Sequence, residues 1–171
     1  MRNTISTLLT VLSVTAFCQI NYDFDLNKIE FKGLEFNSTR VEIEEICGVA
    51  KIVYPDYECG FHSPEQSGGP YYQLVYLGYN FIGSDKEEFQ IEKIGFDPDG
   101  NSFIKYEGTR IDGTTTIDSL SELLGSSIAT FFKTNPDKRS ILLYSNNSDD
   151  GAVFTFNGIG NLSRFEYYSP C

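Results

Sequence analysis

The only histidine of the chain, His62, is the side chain best suited to acid–base chemistry, and it lies in the segment CGFHSPEQSGGPYY, residues 59–72. It could act as a general base for Ser63 or bind a metal together with nearby acids. Nucleophilic catalysis also needs an orienting group and a strained nucleophile turn, and no G-x-S-x-G sequence is present. A structural zinc site needs about four ligands, more than this segment supplies. We therefore predict no catalytic residue, no metal and no other cofactor.

The sequence DPDGNS at 97–102 shares one feature with calcium-binding loops, because Asp97, Asp99 and Asn101 stand at alternate positions. A loop of the EF-hand type requires glycine at its sixth position and a closing glutamate at its twelfth. Gly100 is fourth, and no acid stands twelfth. The segment therefore predicts a turn.

Charge and composition restrict the partners of the chain. It has 13 Lys+Arg against 24 Asp+Glu and a net charge of −11. Nucleic acids and anionic membrane surfaces both bind cationic patches, so we predict neither as a partner. A basic protein is the partner that this charge favours. Beyond the N-terminal stretch, no run of roughly 20 apolar residues could span a membrane.

The first 18 residues, MRNTISTLLTVLSVTAFC, predict an export signal. Arg2 precedes an apolar run from Ile5 to Phe17, and Ala16 and Cys18 offer small residues at the two positions that a signal peptidase reads. We expect cleavage before Gln19 and a periplasmic or extracellular location. An alternative is that Cys18 is acylated, which would make the chain an envelope lipoprotein with a role in assembly or structure.

The rest of the chain repeats one order of elements. The segments IEFKGLEF (29–36) and IKYEGTRI (104–111) alternate apolar and polar residues, which predicts a strand in each. A short amphipathic segment follows each strand, NSTRVEIEEICG (37–48) and TTTIDSLSELLG (114–125). Both predict a helix that lays an apolar stripe on the strands that follow it.

Local signals mark the ends of these two helices. Thr39 with Glu42, and Thr115 with Asp118, have the spacing of a capping box. Gly48 and Gly125 are typical of the residue that follows a helix. Ile43, Ile46 and Cys47 share the predicted apolar face of the first helix, and Ile117, Leu120, Leu123 and Leu124 share that of the second.

Further strands are predicted after each helix, at 71–78, 79–83 and 89–96 in the first half and at 140–145, 152–157 and 162–169 in the second. The composition of two segments, 97–100 and 148–151, predicts hairpin turns. Residues 131–140 are predicted to form a loop. We therefore predict an α+β fold of two tandem strand–helix–antiparallel meander units. These units cover 19–101 and 102–171, share one curved sheet and place their helices on one face.

This order of elements is similar to two families. Helices that open with Ser/Thr and end in LLG or ICG, followed by a meander closing in EKIGF or SRFEY, resemble the small outer-membrane assembly lipoproteins (SmpA/BamE-like) and the tandem-repeat β-lactamase inhibitory proteins. The second resemblance implies a curved sheet whose concave face binds a protein. Neither resemblance assigns a role to an individual residue.

Tyrosines around the 59–72 segment are the best candidates for a binding surface. Tyr71 and Tyr72 are adjacent, so in a strand they must face opposite sides, and one must lie off the core face. Tyrosine flanked by acids is typical of protein-binding surfaces. The predicted binding residues are Tyr54, Tyr57, Glu58, His62, Tyr71 and Tyr72.

Three cysteines remain after residue 18. Cys47 aligns with Leu124 in the repeat, which predicts a buried position. We favour a Cys59–Cys171 disulfide, with Cys47–Cys59 as the alternative. The sequence therefore predicts an exported, non-enzymatic binding protein, of the inhibitor or immunity type, for a secreted or envelope protein. The alternative is a structural or assembly component of the envelope.

Overall fold

The computed structural model describes residues 24–55 and 70–170. Over these residues the chain is a mostly-sheet α+β protein with antiparallel sheets and three α-helices: α1 (Arg40–Cys47), α2 (Ile117–Leu124) and α3 (Ser127–Thr134). The strands are β1 (Ile29–Phe31), β2 (Leu34–Glu35), β3 (Asn37–Ser38), β4 (Lys51–Val53), β5 (Tyr72–Tyr76), β6 (Tyr79–Gly83), β7 (Phe89–Gly95), β8 (Phe103–Tyr106), β9 (Thr109–Asp112), β10 (Ser140–Tyr144), β11 (Gly151–Phe156) and β12 (Leu162–Tyr168). A 3₁₀ turn, Leu26–Lys28, precedes β1.

A four-stranded sheet is built from two hairpins, in the order β2-β1-β8-β9. The prediction of one continuous strand in 29–36 and in 104–111 is wrong, because each segment folds back on itself. Lys32 and Gly33 turn the first hairpin with φ of 55° and 87°, and Glu107 and Gly108 turn the second with 49° and 79°. Two consecutive positive φ values produce a turn whose twist matches antiparallel strands.

The second sheet has eight strands, in the order β10-β11-β12-β7-β6-β5-β4, with β3 also paired to β7. All six predicted meander strands are present in it. The predicted single curved sheet is wrong, because the two hairpins pair with each other through β1 and β8 instead of joining the meander. For the same reason the turn at 97–100 is not a hairpin turn but the connection from β7 in one sheet to β8 in the other.

In both sheets the strands of the two chain halves meet at one antiparallel pair. That pair is β1–β8 in the smaller sheet and β7–β12 in the larger, where Ile94 is opposite Phe165. Both sheets and the helices contribute to one apolar core. Phe31, Phe96, Phe154 and Phe156 are all buried in it.

The second half carries an additional helix that its sequence pattern did not predict. Residues 127–134 form α3, so the prediction of a loop from residue 131 is wrong. Ile128 and Phe132, four positions apart, bury their side chains on one face of α3, and the Phe132 ring meets Phe156 edge-on at 5.2 Å. The Ala129 N–H also lies 3.4 Å from Ser121 Oγ of α2. Helix α3 therefore covers the flank of α2.

A candidate protein-binding surface

Helix α1 begins where the sequence predicted. Thr39 Oγ1 accepts a hydrogen bond from the Glu42 N–H at 3.3 Å, and Glu42 Oε2 accepts one from the Thr39 N–H at 2.8 Å. These bonds satisfy N–H groups that a helix start would otherwise leave unpaired. Hydrogen bonds from the side chain and the backbone of Thr39 lower the pKa of Glu42. The helix ends at Gly48, whose φ of 81° lets the chain turn towards β4.

The apolar side chains between Val41 and Tyr54 are unusually exposed. Helix α1 buries only Ile43. Five of the eight exposed large apolar side chains of the described residues lie in this short stretch, among them Val49 at 90% and Tyr54 at 65% exposure. We name these five residues the α1–β4 surface: Val41, Ile46, Val49, Ile52 and Tyr54. Concentrated apolar exposure of this kind is typical of interaction sites, whereas isolated exposed apolar residues are ordinary.

Strand β4 places this surface at an end of the larger sheet. Its Ile52 is opposite Leu74 of β5, and the Tyr54 ring lies 5.5 Å from the Tyr72 ring. Within the described ranges β4 pairs with β5 alone, so its other edge presents unpaired main-chain groups. The surface thus combines apolar side chains with the hydrogen-bonding groups of an edge strand.

The charges around the α1–β4 surface are mainly acidic. Helix α1 contains three glutamates and one arginine. Arg40 is held by Glu44, whose Oε1 lies 2.9 Å from its Nε, and by the Tyr72 hydroxyl at 3.2 Å. These hydrogen bonds raise the pKa of Arg40 above its usual range. Glu42 and Glu45 therefore face solvent as the excess charge of the helix.

Tyr72 lies beside this surface, and the rings of Tyr71 and Tyr72 are both buried, with their hydroxyls engaged. They are 5% and 3% exposed. The Tyr72 hydroxyl donates to Asp85 Oδ1 at 2.5 Å, and the Tyr71 hydroxyl donates to Glu87. Burial, together with the bond to Asp85, raises the pKa of Tyr72 to about 12. Both tyrosines therefore act first as anchors for the acidic β6–β7 connection.

The predicted binding residues are thus only partly brought together. Tyr54 is exposed directly after β4 and lies next to the buried Tyr72 ring, whereas Tyr71 is buried with its hydroxyl bonded to Glu87. Tyr57, Glu58 and His62 lie outside the described residues, as do Cys59 and Cys171. Cys47 is the one cysteine within the described ranges, where it is half-buried and forms no disulfide.

Four residues of the surface were missed by sequence reasoning: Val41, Ile46, Val49 and Ile52. Ile46 was assigned to the apolar stripe of α1, but it is about half exposed. Val41 precedes Ile43 by two positions, which on a helix places it on the opposite face. That spacing was the available signal, because an apolar residue on the polar side of a short helix has no core to fill.

In the 97–102 turn, the polar side chain of Asp97 is already hydrogen-bonded to neighbouring residues. Asp97 Oδ1 accepts from the N–H groups of Asp99 and Asn101, and Oδ2 accepts from that of Ser102 at 2.7 Å. Hydrogen bonds from the Asn101 and Ser102 backbones lower the pKa of Asp97. The loop therefore uses its acid to hold its own backbone. In the ranges that the structure describes, no three His, Cys, Asp or Glu residues are grouped to hold a metal.

A depression of about 490 Å³ lies on the larger sheet, and Glu92 is one of its lining residues. The Glu92 carboxylate already accepts from the Gln73 amide at 2.8 Å and from the Asn80 amide at 2.5 Å. Ligand pockets are usually apolar with a few unengaged polar groups, so this depression is a weaker candidate than the α1–β4 surface. No helix of the described residues is long and apolar enough to span a membrane.

Comparison of the chain with protein families, with curated proteins and with solved structures found no match. The α1–β4 surface is the strongest candidate for a functional site among the described residues.

Proposed function

We propose that this chain is an exported, non-enzymatic protein that binds a basic secreted or envelope protein, as an inhibitor or immunity-type protein does, through the α1–β4 surface. The single observation that carries the proposal is the concentration of exposed apolar side chains between Val41 and Tyr54, on a helix and an edge strand. Apolar and aromatic side chains at the centre of an interface supply most of its binding energy.

The acidic groups around the surface indicate the charge of the partner. Glu42 and Glu45 lie on α1, and Asp85 and Glu87 lie on the β6–β7 connection, which Tyr71 and Tyr72 anchor. A polar rim that is mainly acidic steers a basic partner and disfavours other acidic proteins. The net charge of −11 acts in the same direction over longer distances.

The proposal includes a duplicated origin for the fold. Each half has a hairpin turned by a positive-φ residue and glycine, a threonine-capped helix of eight residues that ends at glycine, and an antiparallel meander. These shared features support two copies of one strand–helix–meander unit, 19–101 and 102–171. The resemblance to the inhibitory tandem repeats adds support for protein binding. Removal of residues 1–18 and a Cys59–Cys171 disulfide complete the proposed mature form.

The first test is capture of a partner by the chain that begins at Gln19. It is used as bait in envelope extract and culture medium, at low and at high salt, next to two double variants. The surface variant is Tyr54→Ala with Val49→Ala. The control is Leu77→Ala with Ile159→Ala, which removes equally exposed apolar side chains (100% and 83% exposed) from two hairpin tips.

We expect one basic protein to be captured by the wild-type chain and by the control variant. With the purified partner, the surface variant should bind about tenfold more weakly, because a tyrosine near an interface centre contributes more than about 1 kcal/mol and is replaced here together with the exposed Val49. High salt should weaken binding by screening the acidic rim. Equal affinity of the surface variant and the control would exclude the α1–β4 surface, and capture that salt does not change would exclude the basic partner.

A further inference from the structure

Strand β10 forms the end of the larger sheet opposite to β4, and in the described part of the chain it pairs with β11 alone. Two hydrogen bonds across the β10–β11 hairpin show which residues of the chain face β11, and the residues that alternate with them face the outer edge. The Ser145 N–H bonds to the Asp150 carbonyl, and the Phe156 N–H bonds to the Arg139 carbonyl. Residues of an antiparallel strand alternate in the edge to which they direct their main-chain groups. The N–H and C=O groups of Ser140, Leu142 and Tyr144 therefore point away from β11.

The two outer strands of the sheet differ in their protection against pairing. Strand β4 has three residues, includes Lys51 and is followed two residues later by Pro55. A short strand, a lysine and a proline are the usual means by which a sheet edge avoids pairing. Strand β10, Ser-Ile-Leu-Leu-Tyr, has five residues and neither a charge nor a proline. An edge of this kind is a template for another strand.

The side chains of β10 are also compatible with pairing of another strand along its outer edge. Leu142 is half-buried and Tyr144 is exposed on the face that points away from the core, where the Tyr144 ring lies 6.1 Å from Tyr168. The main-chain N–H of Asn146, just beyond the strand, is already bonded to the Phe24 carbonyl. The available edge therefore extends over 140–144.

We propose that β10 pairs with β10 of a second copy of this chain, antiparallel and centred on Leu142. Such a pair is symmetric, because each copy contributes the same patch. Leu142 then lies opposite Leu142 of the other copy, and Ser140 opposite Tyr144. Each of these three residues donates one N–H and offers one carbonyl across the interface, so the two large sheets become one continuous sheet.

The charges at the two ends of β10 favour a second copy of the chain in the antiparallel orientation. Lys138 and Arg139 precede β10, and Asp149 and Asp150 lie in the hairpin turn at its other end. Antiparallel pairing brings the basic end of one copy to the acidic end of the other, whereas parallel pairing would juxtapose like charges. This complementarity acts against the repulsion between two chains of net charge −11.

Analytical ultracentrifugation of the chain that begins at Gln19, over a range of concentrations, tests the pairing. We expect a dimer for the wild-type chain and a monomer for two variants. Leu142→Lys places two like charges at the symmetry axis. Leu142→Pro removes an outward N–H while leaving every bond to β11 in place. Leu77→Lys, at the exposed tip of the β5–β6 hairpin and outside the α1–β4 surface, is the control and should remain dimeric.

Circular dichroism and thermal melting show that the variants keep the fold. A wild-type chain that is monomeric at tens of micromolar would overturn the proposal, as would a dimer that survives both Leu142 substitutions. If the wild-type chain is monomeric and becomes dimeric only when residues 19–23 are deleted, the N-terminal segment occupies this edge instead. That result also overturns the proposal for the intact chain.

Discussion

Helices α1 and α2 have the same length, the same kind of start and the same kind of end, but their surroundings differ. Each follows a threonine that forms a capping box, and each ends at a glycine. Helix α1 buries Ile43 alone, whereas α2 buries Leu120, Ser121 and Leu124 and is covered by α3. In the first half the chain after the helix becomes β4, which leaves apolar side chains in solvent.

Under the proposed function, one local design serves stability in one half and recognition in the other. The apolar stripe of α2 is fully used by the core and by α3. Helix α1 keeps the anchor at Ile43, with Cys47 packed partly against the core, and leaves Val41 and Ile46 exposed. Neither helix would persist alone at this length. The buried Ile43 therefore holds α1 in place, and the exposed side of the helix is not needed for folding.

The largest expected difference is at the last turn of each helix, where Leu124 and Cys47 occupy equivalent positions. Leu124→Ala should lower the free energy of unfolding by about 2–4 kcal/mol, because a buried leucine leaves a cavity. Cys47→Ala should cost about 1 kcal/mol or less, since its side chain is smaller and half-exposed. Urea unfolding measures both. Equal costs at the two positions would show that α1 is packed as tightly as α2.

The two caps should be equal at neutral pH and diverge in acid. Thr39→Ala and Thr116→Ala should each cost about 1 kcal/mol in urea unfolding at pH 7. Thr39 is paired with Glu42, whose pKa is lowered by bonds from Thr39, whereas Thr116 is paired with Ser119, which does not titrate. A lowered carboxyl pKa contributes stability above its unfolded value, and this is lost as pH falls.

The cost of Thr39→Ala should therefore shrink below about pH 4, the usual range of a glutamate, while the cost of Thr116→Ala stays constant. Repeating the urea titration at pH 7 and pH 3 decides the matter. If the two costs change in parallel, Glu42 does not contribute to the α1 cap as a charged group.

An effect of similar size is expected at the start of α1, where Tyr72 connects Arg40 with Asp85. Tyr72→Phe should cost about 1 kcal/mol at neutral pH through loss of the hydroxyl bonds. Burial raises the pKa of Tyr72 to about 12, so its neutral form is favoured in the folded chain. The resulting stability is present below about pH 10 and is lost as pH rises towards 12.

Tyr72→Phe should consequently flatten the alkaline decline in stability, and Tyr144→Phe, at an exposed tyrosine on β10, serves as the control. Thermal melting between pH 8 and pH 11.5 measures this decline for all three chains. An unchanged decline in Tyr72→Phe would indicate that this hydroxyl is not protected by the fold.

The smallest change in stability is expected on the exposed side of α1. Val41→Ala and Ile46→Ala should each alter the free energy of unfolding by less than about 0.5 kcal/mol, because little buried area is lost and alanine favours helices. Urea unfolding checks this value. A loss of several kcal/mol at either position would mean that these side chains are packed in the native protein and are not available to a partner.

Most sequence signals that act over a few residues predicted the local structure correctly. The Thr39 cap, the two closing glycines and the meander strands depend on neighbours within one turn or on period-two alternation, so each was predictable. The cap of α2 was predicted one residue early, at Thr115, because three consecutive threonines offer equivalent side chains. The hairpin turns were missed because Lys32-Gly33 and Glu107-Gly108 lack the Asn or Asp that usually marks them.

The candidate surface was less predictable. The sequence pointed to the tyrosines near residue 70, but the fold buries the rings of Tyr71 and Tyr72 and exposes Val49 and Ile52 instead. Which side of a strand is covered depends on elements that are distant in the chain. Spacing within the strand shows only that the two sides differ.

The amino-acid sequence thus determines the elements of this protein, because helix caps, glycine ends and alternating strands result from interactions between near neighbours. It also determines the acidic net charge of the chain. Only the tertiary structure decides that the hairpins form their own sheet, that α2 is covered while α1 is not, and that β4 and β10 are edges. These outcomes depend on contacts between residues far apart in sequence, where the competing arrangements differ in total buried area and in main-chain pairing.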